Sequence, residues 1–151
     1  IGAGTGSVSV EMALRASQGQ VYAIEKKEDA LNLLKANKEK FALDHMQIIA
    51  GTAPEAMEDL PAPTHAFVGG SGGNLKQILE VVWQKNPLAR VAINAISLET
   101  IAEVTAFLQE HREDVESEVI QMQVSRGKQA GAYHLMQAEN PVMIFTLRKL
   151  A

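Results

Sequence analysis

Short β-branched runs alternate with amphipathic helical segments along the first two thirds of the chain. Runs with strand character end at residue 1 or span 21–25, 46–50, 65–68 and 90–95, while apolar spacings of three, four and seven predict helices at 7–16, 30–41, 75–83 and 98–111. Because each strand is followed by a helix, the order predicts a doubly wound, mostly parallel α/β sheet.

The last forty residues follow a different pattern. Two long strand-like runs, 115–124 and 141–150, are joined by a polar segment that contains glycine and has no helical period. This arrangement predicts a final antiparallel β-hairpin at the edge of the parallel sheet.

The chain of 151 residues has the length of one domain. It begins Ile1-Gly2-Ala3, without methionine and at the end of a predicted strand. We therefore expect a single domain over residues 1–151 that lacks its N-terminal helix and most of its first strand.

Composition excludes several classes of protein. With 46% hydrophobic and 21% charged residues the chain is globular, and without cysteine it has neither disulfides nor thiolate metal sites. No apolar run approaches the ~18 residues of a membrane span, and the net charge of −4 gives no general attraction for nucleic acid. These features predict a cytoplasmic protein with no membrane and no nucleic-acid partner.

A glycine-rich loop, Gly2-Ala3-Gly4-Thr5-Gly6, joins the first predicted strand to the first helix. Such a loop lets a ligand approach the backbone, and the free N–H groups at a helix start suit a nucleotide-like cofactor. Glu25 ends the next strand, where a carboxylate can accept hydrogen bonds from both hydroxyls of a ribose. The dinucleotide fingerprint would place a glycine at Ser7, so the spacing disfavours a nicotinamide cofactor.

The sequence GAGTG, followed by AIE at the end of the next strand, resembles class I S-adenosylmethionine-dependent methyltransferases. A narrower resemblance rests on Gly51-Thr52-Ala53-Pro54-Glu55-Ala56, on FVGGSGGNL at residues 67–75, and on Asn140-Pro141-Val142 with Ile144 and Thr146. These segments are similar to the precorrin-6Y C5,15-methyltransferase (decarboxylating) family of cobalamin biosynthesis. That family implies S-adenosyl-L-methionine as cofactor and methylation of C15 of a precorrin-6B-type substrate, with decarboxylation of an acetate side chain.

The resemblance also implies roles for individual residues. The first glycine loop would approach the methionine part of the cofactor, Glu25 the ribose, and Thr52 with Ala53 the adenine, although the family often has an acid at Thr52. The implied cofactor-binding residues are Gly2, Gly4, Thr5, Gly6, Glu25, Thr52, Ala53, Gly69 and Gly70.

Substrate contacts are expected near the second glycine loop and on cationic groups, because the implied tetrapyrrole substrate carries many carboxylates. Arg126 and Lys128 lie in a predicted loop, and arginine can clamp a carboxylate with two hydrogen bonds. The candidate substrate-binding residues are Ser71, Gly72, Asn94, Arg126 and Lys128.

The four histidines lack the spacing of a metal-binding pair, so no metal site is expected, and Trp83 is expected in the core. By resemblance the chain is expected to form a homo-oligomer, and to act with, or be fused to, the C5-methylating precorrin methyltransferase.

Two alternative functions stay open at this point. The fold serves many methyl acceptors, so the substrate could instead be another molecule such as a tRNA base. The domain could also bind S-adenosylmethionine without catalysing transfer. The catalytic residue for decarboxylation is not identified by the sequence.

Overall fold

A computed structural model describes residues 1–150 as four α-helices and eight β-strands. In chain order the elements are α1 (Ser7–Arg15), β1 (Val21–Glu25), α2 (Glu28–Lys40), β2 (Met46–Ala50), a 3-10 turn (Glu55–Met57), β3 (His65–Val68), α3 (Leu75–Lys85), β4 (Arg90–Ala95), α4 (Leu98–Glu110), β5 (Val115–Met122), β6 (Ser125–Ala130), β7 (Tyr133–Ala138) and β8 (Val142–Lys149). The predicted strands 21–25, 46–50, 65–68 and 90–95 coincide with β1 to β4.

Parallel pairing joins the first four strands in two pairs. β1 pairs with β2, and β3 pairs with β4, which continues into the order β3-β4-β8-β5. The first residues of the chain lie between the two groups, because Ala3 N–H donates to the Ile24 carbonyl at 3.0 Å and Ile1 C=O accepts from Gly69 N–H at 2.9 Å. Residues 1–3 thus connect β1 with the end of β3, where the sequence predicts the end of a strand.

The antiparallel hairpin is confirmed. β8 pairs antiparallel with both β4 and β5, so β8 lies inside the sheet and β5 forms its edge. The polar connection is different from the prediction, because it folds into a second, separate hairpin of β6 and β7. Arg126 and Lys128 therefore lie on strand β6 and not in a loop, since residues on both strands pair along the ladder.

Apolar side chains from helices and strands form two buried clusters. The larger cluster joins α3 and α4 to the strands around β4, with Ile78, Leu79 and Val82 fully buried. Trp83 is buried as predicted, and its indole N–H donates to the Ala89 carbonyl at 3.0 Å. The smaller cluster joins α1 and α2 to β1 and β2 through residues such as Ala13 and Leu34.

Among residues 1–150, no helix combines the length and the apolar character needed to cross a membrane.

Candidate active site

A cleft of about 860 Å³ lies at the carboxyl ends of β1 and β2 and beside the loop after β3. Ligands of open α/β sheets bind at this edge, because the loops that follow parallel strands converge there. Of the residues predicted to bind cofactor or substrate, those that line the cleft are Gly2, Gly4, Thr5, Glu25, Thr52, Ala53, Gly70, Ser71 and Gly72.

The three glycines of the first loop have different structural roles. All three adopt positive φ angles, of 63° at Gly2, 56° at Gly4 and 87° at Gly6. A Cβ on Gly2 would stand 2.7 Å from the Gly70 carbonyl oxygen, whereas a Cβ on Gly4 would meet nothing within 4 Å. Gly2 therefore allows the two glycine loops to approach each other, and Gly4 leaves backbone open to the cleft.

Gly6 and Gly69 support the cleft without lining it. A Cβ on Gly6 would overlap the Leu34 side chain of α2, and one on Gly69 would stand 2.9 Å from the Gly2 carbonyl oxygen. These two glycines permit close packing behind the site, so the structure gives each a packing role.

The Glu25 carboxylate is held by three backbone donors. Its Oε2 accepts from Gly4 N–H at 2.8 Å, and its Oε1 accepts from the N–H groups of Lys26 and Lys27 at 2.8 and 2.9 Å. Since a carboxylate oxygen has two lone pairs, Oε2 keeps one acceptor position. Glu25 lines the cleft with 8% of its surface exposed, so this carboxylate is fixed in orientation beside the open space.

The charge on Glu25 is favoured by this environment. Burial raises the pKa of the carboxyl, but the N–H groups of Lys27, Gly4 and Lys26 and the Lys27 ammonium outweigh burial, so the pKa lies below its ordinary value. Glu25 is thus an ionised acceptor at neutral pH.

Three predicted substrate residues lie outside the cleft. Asn94 pairs with Ile144 across the ladder of β4 and β8. Arg126 forms an ion pair with Glu139 at 2.6 Å, and Lys128 lies on the exposed hairpin opposite Leu135. The structure does not bring these side chains to the cleft-lining residues, and their role in substrate binding stays a prediction.

Sequence reasoning missed part of the cleft wall. Lys26, Lys27 and the first turn of α2, with Ala30 and Leu33, also line it. The position of Lys26 and Lys27 could have been predicted, because residues that directly follow an acid at the carboxyl end of a strand lie at the same edge of the sheet.

Two of the histidines, His45 and His111, pack against other parts of the chain. His45 Nε2 lies 2.8 Å from the Ala13 carbonyl, and the His111 ring stacks on Phe107. In residues 1–150 no group of three or more His, Cys, Asp or Glu side chains is arranged to hold a metal ion.

The mixed sheet, with parallel β1–β2 and β3–β4 pairs and an antiparallel β8, and a glycine loop and strand-end acid at one cleft, define a class I, Rossmann-like methyltransferase. The profile of one family, described as "Precorrin methyltransferase domain", matches residues 1–149. The chain belongs to this family.

Relatives agree with this assignment. The chain is 35% identical over 150 residues to the cobalt-precorrin-6B C(15)-methyltransferase (decarboxylating) of Salmonella typhimurium, covering 99% of this chain and 77% of that protein. The crystal structure of precorrin-6y C5,15-methyltransferase from Geobacter metallireducens is similar with a TM-score of 0.88 at 33% identity, over 99% of this chain and 77% of that one. The C-terminal domain of precorrin-6Y C5,15-methyltransferase from Rhodobacter capsulatus is similar with a TM-score of 0.82 at 28% identity, over 99% and 77%.

Proposed function

We propose that this chain is an S-adenosylmethionine-dependent C-methyltransferase of cobalamin biosynthesis, which methylates C15 of a precorrin-6B-type substrate with decarboxylation of an acetate side chain. The observation that carries the proposal is the family match over residues 1–149, together with an open cleft formed by the residues of that match. The relative from Salmonella typhimurium supports the substrate class.

The cleft fits a nucleoside cofactor. The free acceptor position on Glu25 Oε2 suits a ribose hydroxyl, and the open backbone at Gly4 suits a close ligand. Thr52 and Ala53 line the side at which the adenine is proposed to lie. When bound, S-adenosylmethionine would supply an electrophilic methyl group on its sulfonium.

The contribution of the protein to such a reaction is alignment. Displacement at a methyl group spreads an existing positive charge, so the acceptor carbon must be held in line and water kept out, and no strong protein nucleophile is needed. Gly70, Ser71 and Gly72 form the wall at which we place the substrate.

The proposed function is tested by calorimetric titration with S-adenosylhomocysteine, followed by incubation with S-adenosylmethionine and a precorrin-6B-type substrate under mass spectrometry. Binding and a product heavier by one methyl and lighter by one carbon dioxide support the proposal. Binding with an unchanged precorrin would favour another acceptor, such as a tRNA base, or a non-catalytic binding module.

Arg126 is proposed to hold a substrate carboxylate, so its replacement by alanine is expected to raise KM for the precorrin about tenfold, the loss of roughly 1.5 kcal/mol expected for one charge-assisted hydrogen bond. Cofactor affinity should not change, because Arg126 lies outside the cleft. Arg112→Ala is the matched control, since Arg112 is equally exposed and paired with Glu113. Steady-state kinetics that give the same KM for both variants would remove Arg126, and with it Lys128, from the substrate site.

The chain is further proposed to form a homo-oligomer through its hairpin strands. Tyr133, Leu135 and Met136 on β7 are 74%, 60% and 70% exposed, and Ile120 and Met122 on β5 are half exposed. Exposed large apolar side chains that cluster on a protein surface are typical of protein interfaces.

Leu135→Glu is expected to shift the oligomer toward monomer in multi-angle light scattering, because a carboxylate at an apolar interface would have to be desolvated. Leu88→Glu is the control, since Leu88 is 80% exposed and lies in the loop between α3 and β4. A wild-type protein that is monomeric at all concentrations would overturn the proposal.

Two further proposals concern the cellular location and a partner enzyme. A cytoplasmic location is supported by the absence of cysteine, which suits a reducing compartment. A partnership or fusion with the C5-methylating enzyme is supported by the similarity to a C-terminal domain of such a protein.

A further inference from the structure

The loop between β3 and α3, residues 69–73, forms one wall of the cleft and has four glycines around a single serine. Gly72 and Gly73 adopt positive φ angles of 60° and 87°. Glycines lack side chains that could anchor a loop, and they have more backbone freedom than other residues. Gly69 is held by its backbone bond to the Ile1 carbonyl, and Ser71 supplies the side chain that can anchor the rest of the loop.

The Ser71 side chain points away from solvent and toward α4. It is 7% exposed, and its hydroxyl donates to Glu103 Oε2 at 3.0 Å. The same oxygen accepts a long hydrogen bond from Gly73 N–H at 3.4 Å. A hydrogen bond to a carboxylate is stronger than a neutral one, so the contact with Glu103 dominates.

Glu103 has no other polar contact in the part of the chain that the structure describes. It is half-buried in the middle of α4, forms no ion pair, and its Oε1 lies 3.9 Å from the place of a Cβ on Gly73. A partly buried carboxylate is stabilised by a hydrogen-bond donor, and Ser71 is the donor that Glu103 has. Its helix is fixed in the core by the buried side chains of Val104 and Phe107.

We propose that Glu103 is a positioning residue for methyl transfer, which acts through Ser71 to hold residues 69–73 in the conformation that aligns the substrate with the cofactor. This inference rests on the proposed function. Glu103 contacts Ser71, on the part of the wall at which we place the substrate, so its effect is expected on the transfer rate and not on cofactor affinity. Misalignment of reacting groups by about 1 Å can cost ~100-fold in rate.

The first test does not depend on turnover. In hydrogen exchange of the protein bound to S-adenosylhomocysteine, peptides that cover residues 69–74 should exchange at least tenfold faster in Ser71→Ala and Glu103→Ala than in the wild type. Glu103→Gln keeps an acceptor for the serine hydroxyl and should restore protection. Glu99→Ala is the matched control, because Glu99 is an exposed acid one turn earlier on the same helix. Equal exchange in all variants would overturn the inference, whatever the activity.

The second test is a double-mutant cycle in kcat for the precorrin substrate. Ser71→Ala and Glu103→Ala should each lower kcat about 10- to 100-fold while changing the Kd of S-adenosylhomocysteine less than threefold, and the double variant should be no worse than either single one, because the two residues act as a unit. Multiplicative losses, or unchanged kcat in folded variants, would contradict the inference. A wild type without turnover but with the expected exchange pattern would contradict the proposed function, while the hold of Glu103 on residues 69–73 would be supported.

Discussion

Replacing Gly2 by alanine is expected to lower the free energy of unfolding by about 3 kcal/mol and to abolish cofactor binding. The left-handed backbone at Gly2, with φ of 63°, costs an alanine roughly 1–2 kcal/mol. The new methyl would also stand 2.7 Å and 2.8 Å from the carbonyl oxygen and the nitrogen of Gly70. Such overlap with rigid backbone adds about 1–3 kcal/mol. The two glycine loops would have to move apart, and both line the cleft.

Gly131→Ala separates the two contributions. Gly131 has the same φ of 63°, but a Cβ there meets nothing within 4 Å, and the residue lies in the turn between β6 and β7. In Gly131→Ala the free energy of unfolding should fall by about 1 kcal/mol because of the backbone conformation alone, and the affinity for S-adenosylhomocysteine should not change. Urea unfolding and calorimetric titration check both variants. If Gly2→Ala is as stable as Gly131→Ala and binds S-adenosylhomocysteine as tightly, the close contact between the two glycine loops is contradicted.

Strands β1 to β4 were predictable because each one is a short, largely apolar run between turn signals or helical segments. In β4 the buried residues Val91, Ile93 and Ala95 alternate with more exposed ones, and in β2 Met46 is buried with Ile48 and Ile49 partly buried, so both runs are rich in apolar residues. The β6–β7 hairpin was not predicted, because it has no buried face: every residue of both strands is exposed. Hydrophobic periodicity arises from burial, so a strand pair that faces solvent on both sides carries no such pattern.

Residues of the cleft were predictable where chemistry and position coincide along the chain. Glu25 follows directly from its place at the end of a strand, next to a glycine loop. Arg126 was chosen for its charge and its predicted loop, and the structure places it on strand β6, paired with Glu139 on the separate hairpin. Which strand lies next to the cleft depends on tertiary pairing, which local sequence does not encode.

Glu103 is a residue that the sequence analysis did not connect with the cleft. In the sequence it is an ordinary acid of an amphipathic helix, and only the fold places it 3.0 Å from the Ser71 hydroxyl. Ser71 itself was predicted from the family resemblance of the second glycine loop. The motif thus identifies the loop, while the side chain that holds Ser71 comes from an element about thirty residues later, where no spacing rule applies.

Replacing Glu25 by alanine is expected to weaken binding of S-adenosylhomocysteine about 100-fold, equivalent to ~3 kcal/mol. The change removes the proposed ribose acceptor, and it also leaves the N–H groups of Gly4, Lys26 and Lys27 without their partner. An unpaired buried donor costs about 1–3 kcal/mol, so the loop that carries Gly4 is also expected to loosen. Calorimetric titration measures the affinity, and Glu28→Gln is the control, because Glu28 lines the same cleft as an exposed acid.

The contribution of Glu25 to the free energy of unfolding should fall in acid. Because the pKa of Glu25 in the folded protein lies below its ordinary value of 4.5, the ionised carboxylate stabilises the fold above pH 4.5, and this stabilisation is lost as the pH falls through the folded-state pKa. The difference in unfolding free energy between wild type and Glu25→Gln should therefore be constant near neutral pH and shrink in more acidic buffer. A difference that grows below pH 4.5 would mean that burial outweighs the three N–H donors. The assignment of Glu25 as an ionised acceptor for a ribose hydroxyl would then be wrong.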